Sequence, residues 1–303
     1  MAVLKKSLVF AAAALLIGAF LGMSSAQATD YGSNITIYDT MVSGGVGSWY
    51  NRGNPGAPPA GGGEDQEVEP NMVTGQAWDL EGFYLNNATL TMVGGFNVKD
   101  GYNYGGHLYT GGDIFIAPVS AAPKYGTSAP NTPNSSTVSN SFGWTYVIHL
   151  NFADDSFTAY AIDANTQVKT VTVEEPYNKG SSPWKYDSGG TAISDPNHPF
   201  TFSYSGPLTS AQVNANITSG PALQGDADND KHYVATLDLS YLLPDDEYFF
   251  HYTFECGNDL LMGDGTITGS HVPLPPSVLL LGSGLLGLVG LRRRQVKSGL
   301  AAG

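Results

Sequence analysis

Short segments in which apolar and polar residues alternate recur through the middle of this 303-residue chain, and each is bounded by Gly, Pro, Asn or Ser. Alternation with a period of two places the apolar side chains on one face of a β-strand. No amphipathic run long enough to indicate a helix interrupts this pattern. The sequence therefore predicts an all-β domain, with a single β-sandwich or jelly-roll-like fold over residues 29–266.

Two pairs of neighbouring segments predict β-hairpins, because a few turn-forming residues join the members of each pair. The pairs are 78–85 with 88–93 and 145–152 with 157–163, and further strands are expected at 233–240 and 247–254. The first turn falls on Asn86 and Asn87. Residues 167–173 should extend the second hairpin as a meander, whereas abundant Gly, Ser and Pro predict loops at 123–141 and 178–198.

Cys256 is the single cysteine of the chain, so neither an intramolecular disulfide nor a cysteine-based metal cluster can form. It lies in a strand-like run and is expected to be buried and inert, with a reactive thiol or a bridge to another chain as the alternatives. The region between the two termini is long enough for one sizeable hydrophobic core. No linker divides it, which favours one domain.

Residues 1–28 have the organisation of a secretory signal peptide. Two lysines form a positive start, residues 7–21 form an apolar helical core, and Ala26 and Ala28 are the small residues of a cleavage site. Cleavage after Ala28 would leave an exported chain. A retained membrane helix is the alternative.

The carboxyl end carries a proline-containing spacer at 267–276, an apolar run with a basic cluster within 277–298, and a short tail at 299–303. The apolar run predicts a transmembrane helix, although its fourteen residues from 278 to 291 would span only about 21 Å of a core of about 30 Å. The basic cluster consists of Arg292, Arg293 and Arg294. Arginines stay on the cytoplasmic side, so the preceding chain is expected outside. A buried core helix is the alternative.

The motif Val272-Pro273-Leu274-Pro275, followed by an apolar helix and an arginine cluster, resembles a PEP-CTERM sorting signal of the VPLP type. Leu274 stands where the commonest form of the motif has Glu, and this is a recurrent variant. The resemblance implies processing by an exosortase-type membrane peptidase in a bacterium that makes extracellular polysaccharide. It also implies a location at the cell surface, with the chain anchored in the membrane at least transiently.

Three internal segments are similar to stretches of ectodomains that precede such signals, namely 78–96, 111–116 and 251–259. This similarity implies an extracytoplasmic β-sandwich whose final strand ends near Gly257, followed by the spacer. It implies no known activity.

The charges of the chain are distributed unevenly. All 27 acidic residues but only seven of the 13 basic ones lie between Asp30 and Asp264, which gives this stretch a net charge of −20. A surface this acidic repels nucleic acid, so DNA and RNA are not expected as partners. It is compatible with solubility outside the cell and with divalent cations.

Asp226, Asp228 and Asp230 alternate in sequence as in the first half of a calcium-binding loop. Lys231 and Leu237 depart from an EF-hand loop, which has Gly and a bidentate Glu at these positions. A calcium site would therefore need ligands from elsewhere in the fold, and a solvated polar turn is the alternative. No other cofactor is indicated.

Asp79 and Glu81 are two residues apart, so on a strand both would lie on one face. Paired carboxylates serve glycoside hydrolysis. The alternatives are an exposed acidic strand face, or carboxylates that bind nearby loop amides. The six histidines show no zinc-binding spacing, and no nucleophile elbow lies in a suitable setting.

Seven aromatic residues lie in or beside loops rich in Gly and Asn, where they would either contact sugar rings or fill the ends of the sandwich. These residues are Trp49, Tyr50, Tyr102, Tyr104, Tyr109, Trp184 and Tyr186. The function expected from the whole sequence is that of an exported, non-enzymatic surface or matrix protein with a structural or adhesive role. A glycan-binding module of the polysaccharide matrix is the alternative, and a carbohydrate-active enzyme is the third.

Overall fold

A computed structural model describes residues 30–37, 75–124, 133–172, 181–225, 229–257 and 259–271. Over these residues the chain is all-β, since antiparallel strands form nearly all of its regular structure. The strands in chain order are β1 (Ser33–Asn34), β2 (Leu80–Asn86), β3 (Thr89–Gly94), β4 (Tyr102–Tyr104), β5 (His107–Tyr109), β6 (Ile114–Pro118), β7 (Thr137–Ser139), β8 (Tyr146–Asn151), β9 (Ser156–Ala161), β10 (Gln167–Lys169), β11 (Lys185–Ser188), β12 (Thr191–Ile193), β13 (Phe202–Leu208), β14 (His232–Asp238), β15 (Asp246–Thr253) and β16 (Leu260–Ile267). A 3₁₀ turn at Gln76–Trp78, another at Val119–Ala121 and a short helix α1 (Ser210–Asn214) complete the described elements.

Two large sheets carry most of the strands. One has the order β1-β2-β3-β14-β13, and the other has the order β12-β9-β8-β6-β15-β16. Their buried side chains belong to one hydrophobic core, which includes Phe83 and Leu237 from the first sheet and Ile148 and Phe250 from the second. The rings of Phe83 and Phe250 lie 6.1 Å apart. The buried faces of the two sheets therefore stabilise each other.

Both predicted hairpins are confirmed. In the first, β2 and β3 pair directly, and Asn87 takes a positive φ of 55° in the turn. The turn lies one residue later than predicted, because Asn86 still pairs with Thr89. In the second, β8 and β9 pair around a turn in which Asp155 has a φ of 53°. Local alternation and turn-forming residues were sufficient to predict both hairpins.

A third, smaller sheet has the order β11-β10-β7. The predicted meander at 167–173 is wrong, because β10 pairs with β7 and β11 rather than with β9. The predicted loop at 178–198 is wrong in part, since it contains β11 and β12. Val168 of β10 belongs to a second core cluster with Trp144 and Val147, so the small sheet covers the outer face of the six-stranded sheet.

The final described strand is β16, which ends at Ile267, so the expected end near Gly257 is wrong. Gly263 and Gly265 lower the strand propensity of this segment. Both glycines lie in tight packing, because a Cβ on Gly265 would lie 2.9 Å from Ile35 Cγ2, and one on Gly263 would lie 3.1 Å from Phe83 Cδ2. Cys256 lies in the turn after β15 and is fully buried, as expected.

Within the described ranges, no helix has the length and apolar character needed to cross a membrane. The predicted signal peptide, with Ala26 and Ala28, lies outside these ranges. So do the motif at 272–275 and the arginine cluster at 292–294.

Candidate functional site

A small hairpin belongs to neither of the two large sheets. Among the described strands, β4 and β5 pair only with each other, in the register Tyr102 with Tyr109 and Tyr104 with His107. The two residues between the strands are Gly105 and Gly106, whose φ angles are 61° and 85°. Positive φ at both central residues is typical of the two-residue turns that match the twist of paired strands. The glycine pair therefore sets the geometry of this hairpin.

Trp78 packs against the hairpin. It ends the 3₁₀ turn that precedes β2, and its ring meets those of three hairpin tyrosines edge to face. The ring centroids lie 4.8 Å from Tyr102, 5.9 Å from Tyr104 and 5.4 Å from Tyr109. Edge-to-face pairs at these distances stabilise by about 0.5–1.5 kcal/mol each beyond the burial of surface. We call Trp78 and these three tyrosines the aromatic platform.

The platform remains open to solvent. Tyr102 is 37% exposed and Tyr104 is 65% exposed, and with Leu108 at 48% they are the exposed large hydrophobic residues of the described chain. Leu108 pairs with Asn103, so these two side chains lie on the opposite face of the hairpin from the tyrosines. Packing against the hairpin explains why Trp78 is partly buried. It does not explain why Tyr104 is exposed to solvent.

Polar groups border the platform on one side. His107 Nε2 lies 3.3 Å from Glu255 Oε1, and the His107 ring meets Tyr109 edge to face at 4.5 Å. Glu255 Oε2 accepts hydrogen bonds from the backbone N–H and the hydroxyl of Thr110. Aromatic faces beside hydrogen-bonding groups suit ligands that have both an apolar face and hydroxyl groups.

A second group of polar side chains lies between β2, β14 and α1, with His232 and Glu81 buried and Asp230 exposed. His232 Nδ1 lies 2.6 Å from Glu81 Oε1, and its Nε2 lies 3.1 Å from Asp230 Oδ1. The Gln76 side chain donates to Glu81 at 3.0 Å. Ser210 donates to Asp230 through its hydroxyl and its backbone N–H. Helix α1 is held in place by a capping box at its start, which positions Ser210.

Charge pairing decides the protonation of this cluster. Burial by itself lowers the pKa of His232, but the hydrogen bonds and charges of Glu81 and Asp230 raise it above its usual value overall. The hydrogen bonds from Ser210 hold the pKa of Asp230 below its usual range. The imidazole of His232 thus links two carboxylates from separate parts of the chain, and both favour its charged form.

Ser210 Oγ lies 2.9 Å from His232 Nε2, and Glu81 binds the other ring nitrogen. Serine, histidine and a carboxylate in this order resemble a nucleophile with its general base. Asp230 interrupts that arrangement, because it accepts hydrogen bonds from both the Ser210 hydroxyl and His232 Nε2. A base must offer a free lone pair to the nucleophile, so this geometry favours structural pairing over catalysis.

The two carboxylates considered for catalysis are both buried, Asp79 at 3% exposure and Glu81 at 4%. An exposed acidic strand face is therefore excluded. Asp79 precedes β2, and the pairing of β2 with β3 is shifted between Leu80 and Gly82. The alternative in which a carboxylate binds a nearby amide is confirmed for Glu81, which binds the side chain of Gln76.

Of the three aspartates predicted to bind calcium, Asp226 and Asp228 lie outside the described residues. Asp230 is described, and its carboxylate is engaged with Ser210 and His232. The described part of the chain holds no group of three or more His, Cys, Asp or Glu side chains arranged to bind a metal. Calcium binding stays a prediction.

The seven loop aromatics separate into groups. Tyr102, Tyr104 and Tyr109 meet on the platform, Trp184 is buried, and Tyr186 stacks on another tyrosine. Trp49 and Tyr50 lie outside the described residues. Sequence reasoning missed Trp78 as the centre of the platform, because it was assigned to the strand. The sequence also offered no signal for His232, whose partner Glu81 is 151 residues away.

No family model, curated protein or solved structure matches this chain. The fold and the site thus define an all-β domain that carries an aromatic platform on an isolated hairpin.

Proposed function

We propose that this chain is an exported, non-enzymatic surface or matrix protein that adheres to extracellular polysaccharide through the aromatic platform. Its ectodomain is a β-sandwich, which the shared core of the two large sheets supports. The observation that carries the adhesive role is the exposure of Tyr104 and Tyr102 on a hairpin that pairs with none of the other described strands.

A sugar chain is the ligand class that suits this surface. Pyranose rings have an apolar face that stacks on tyrosine and tryptophan, and hydroxyl groups that bind the polar border at His107 and Glu255. Stacking on an exposed aromatic side chain does not require opposite charge. A neutral polysaccharide is therefore favoured, because the exported stretch has a net charge of −20.

Retention on a polysaccharide column and quenching of tryptophan fluorescence test the platform. The protein should be retained on polysaccharide from its own host, and Tyr104→Ala or Trp78→Ala should abolish retention. Leu108→Ala is the matched control, since it removes exposed apolar surface from the opposite face of the hairpin. Equal losses for Tyr104→Ala and Leu108→Ala would mean non-specific hydrophobic adhesion, and no retention of the unmutated protein would refute glycan binding.

Export and sorting rest on the signals at the two ends of the chain. The proposal is that a signal peptidase cuts after Ala28 and that an exosortase-type peptidase recognises Val272-Pro273-Leu274-Pro275. The intact mass of the protein from the cell surface and the medium tests both steps. Loss of residues 1–28 and of the tail after Pro275 is expected. A full-length carboxyl end would favour permanent membrane anchoring by the apolar run.

The absence of catalysis is also part of the proposal. It is supported by the burial of Asp79 and Glu81 and by the pairing of Glu81 with His232. A screen against polysaccharides that compares the unmutated protein with Asp79→Asn and Glu81→Gln variants tests it. Hydrolysis that disappears in either folded variant would establish a carbohydrate-active enzyme instead.

The proposal includes calcium as a ligand of the segment that contains Asp226, Asp228 and Asp230. The alternating carboxylates support this part of the proposal. Binding should raise the melting temperature of the protein when calcium is added, and Asp228→Ala should remove the increase. An unmutated protein whose melting temperature does not respond to calcium would end the idea.

A further inference from the structure

A polar cavity lies at the far end of β2 from the platform. Trp78 precedes this strand and Asn86 is its last residue, so about 20 Å of strand separates the two. The cavity has a volume of about 410 Å³ and opens to solvent, and its size falls within the range of pockets that hold small molecules. The polar side chains that line it belong to Asn86, Asn87, Thr89, Asp238, Ser240 and Thr268.

Three of these side chains form a row across neighbouring strands. Asn86 of β2 pairs with Thr89 of β3, and Thr89 pairs with Asp238 of β14. Directly opposite side chains on antiparallel strands lie on one face, about 4.5–5.5 Å apart. Leu90 and Leu237, the sequence neighbours of Thr89 and Asp238, belong to the core, so the row lies on the outer face of the sheet. The sheet thus presents an amide, a hydroxyl and a carboxylate side by side.

Hydrogen bonds between distant segments fix the rest of the cavity wall. The Leu239 N–H donates to the Ala88 carbonyl at 2.8 Å, and the N–H of Thr268, just after β16, donates to the Asn87 carbonyl at 3.3 Å. The Thr268 hydroxyl also donates to the Asn87 side-chain oxygen at 3.3 Å. Because the fold itself holds these groups, a ligand would pay little to order them.

Several polar atoms of the cavity are available to a ligand. Asp238 Oδ1 accepts a hydrogen bond from the Ser240 N–H at 2.9 Å. Within the described ranges, no hydrogen bond engages Asp238 Oδ2 or the hydroxyl groups of Thr89 and Ser240. The carboxylate oxygen accepts only, whereas each hydroxyl both donates and accepts. A ligand that itself carries several hydroxyl groups would satisfy all three.

The lining selects among classes of ligand. The charge of Asp238 disfavours an anion, and one carboxylate is too few for calcium, which takes about 6–8 oxygen ligands. None of the described lining residues is aromatic, so the cavity does not suit a flat apolar ligand. A neutral ligand rich in hydroxyl groups fits best. A pyranose ring holds its hydroxyl groups in fixed positions and so loses less conformational freedom on binding than an open-chain polyol.

We propose that this cavity binds one neutral sugar unit, with neighbouring hydroxyl groups donating to Asp238 Oδ2 and the hydroxyl groups of Thr89 and Ser240 completing the contacts. The site is separate from the platform and does not depend on it. The platform contacts the faces of sugar rings, whereas the cavity contacts the polar edge of one ring.

Saturation-transfer NMR tests the site, with the methyl glycosides of glucose, galactose and mannose as probes and the mature protein recovered from the cell surface. At least one glycoside should receive saturation and bind with a Kd on the order of 1 mM. Sorbitol has the hydroxyl groups but no ring, and the methyl glycoside of glucuronic acid adds a negative charge. Both should bind far more weakly.

Two conservative variants remove the proposed contacts. Asp238→Asn keeps an oxygen for the Ser240 N–H but removes the second carboxylate oxygen, and should raise the Kd by about tenfold or more. Thr89→Val keeps the shape of the side chain and its strand propensity, and should raise the Kd by about three- to tenfold. Asp154→Asn is the matched control, because Asp154 Oδ1 also accepts from the N–H two residues later but lies in the turn after β8. It should leave the Kd unchanged.

Several outcomes would overturn the proposal: no transfer to any of the three glycosides, equal binding of sorbitol or of the glucuronide, or an unchanged Kd in the two folded variants. Thr89→Val keeps the test valid if Asp238→Asn fails to fold. Tyr104→Ala should retain glycoside binding while losing retention on polysaccharide, so the two sites can fail separately. Loss of glycoside binding in Tyr104→Ala alone would assign the probe to the platform and refute the cavity site.

Discussion

Two buried histidines show how the surroundings of a residue decide its charge. His232 lies between Glu81 and Asp230, which favours the charged ring. His251 is fully buried, stacks on Trp144 and hydrogen-bonds through Nε2 to a backbone carbonyl. A neutral ring satisfies that contact, so burial lowers the pKa of His251 to about 4. The same residue type therefore has a raised pKa in one sheet and a lowered pKa in the other.

Removing Glu81 should destabilise the protein strongly, because the buried His232 would keep only the exposed Asp230 as a charged partner. Glu81→Ala is expected to lower the free energy of unfolding by about 3 kcal/mol, the cost of breaking a buried ion pair on one side. Urea denaturation measures the change. Glu247→Ala, at an exposed position, should stay within about 0.5 kcal/mol of the unmutated protein. A loss below about 1 kcal/mol for Glu81→Ala would contradict the charged cluster.

The low pKa of His251 predicts a stability loss in acid. The unfolded chain protonates this histidine at a pKa of about 6.5, whereas the folded chain does so only near 4. Stability is therefore fully present above about pH 6.5 and falls with pH towards 4, by about 2 kcal/mol between pH 7.5 and pH 5 from this group. Denaturation at both pH values compares the unmutated protein with His251→Phe.

The variant should be less stable at pH 7.5, because it loses the hydrogen bond to Pro183, but its stability should depend less on pH. The difference in pH dependence between the two proteins separates the effect of His251 from those of His149 and His232. The raised pKa values of these two histidines change stability with pH in the opposite direction. Equal pH dependence in the two proteins would refute a neutral His251.

At the scale of elements, the hairpin of β4 and β5 depends on its turn rather than on neighbouring strands. Within the part of the chain that the structure describes it pairs with no further strand, and its register places all three platform tyrosines on one face. A Cβ on Gly105 or Gly106 would meet no other atom, so their backbone conformation, rather than lack of space, requires glycine. If the register shifted by one residue, the alternation of side chains would place the same tyrosines on the opposite face of the hairpin.

Replacement of Gly106 should disrupt the hairpin locally. Gly106→Val forces a β-branched residue into positive φ and should cost about 1–2 kcal/mol, confined to this element. Gly106→Asn is the control, because asparagine adopts this conformation readily. Hydrogen exchange should become faster at the amides of β4 and β5 in the Val variant alone, together with weaker retention on polysaccharide. Unchanged exchange would mean that packing on Trp78 positions the hairpin without the turn.

At the scale of the whole molecule, stability comes from layers of packed side chains rather than from covalent links. The two large sheets share one core, the small sheet covers part of the outer face, and the one cysteine is buried. Stacked Phe96 and Phe254 connect the core to the platform through Trp78. A protein without an intramolecular disulfide depends on such a core.

Reducing agents should therefore leave the melting temperature unchanged. In the folded protein, Cys256 should react with a thiol-specific reagent far more slowly than in urea, because it is fully buried. Absorbance at a fixed reagent concentration measures both rates. Rapid labelling of the native protein, or a lower melting temperature after reduction, would instead indicate an accessible thiol or a bridge between chains.

The sequence by itself determined the all-β class and both long hairpins. These depend on residues close in the chain, such as Asn87 in the first turn and Asp155 in the second, and local propensity acts over that range. The export and sorting signals are also linear features of the sequence, and their roles stay predictions. The alternating glycines of β16 hid a strand, since glycine has a low strand propensity and these two lie where packing is tight.

Only the tertiary structure decided which side chains form sites. Trp78, the tyrosines of β4 and β5, and Phe254 meet because the core brings the 3₁₀ turn, the hairpin and the end of β15 together. Glu81 and His232 come from strands far apart in sequence. Contacts between distant segments depend on sheet order and register, which the packing of the whole chain sets, so no local pattern encodes them.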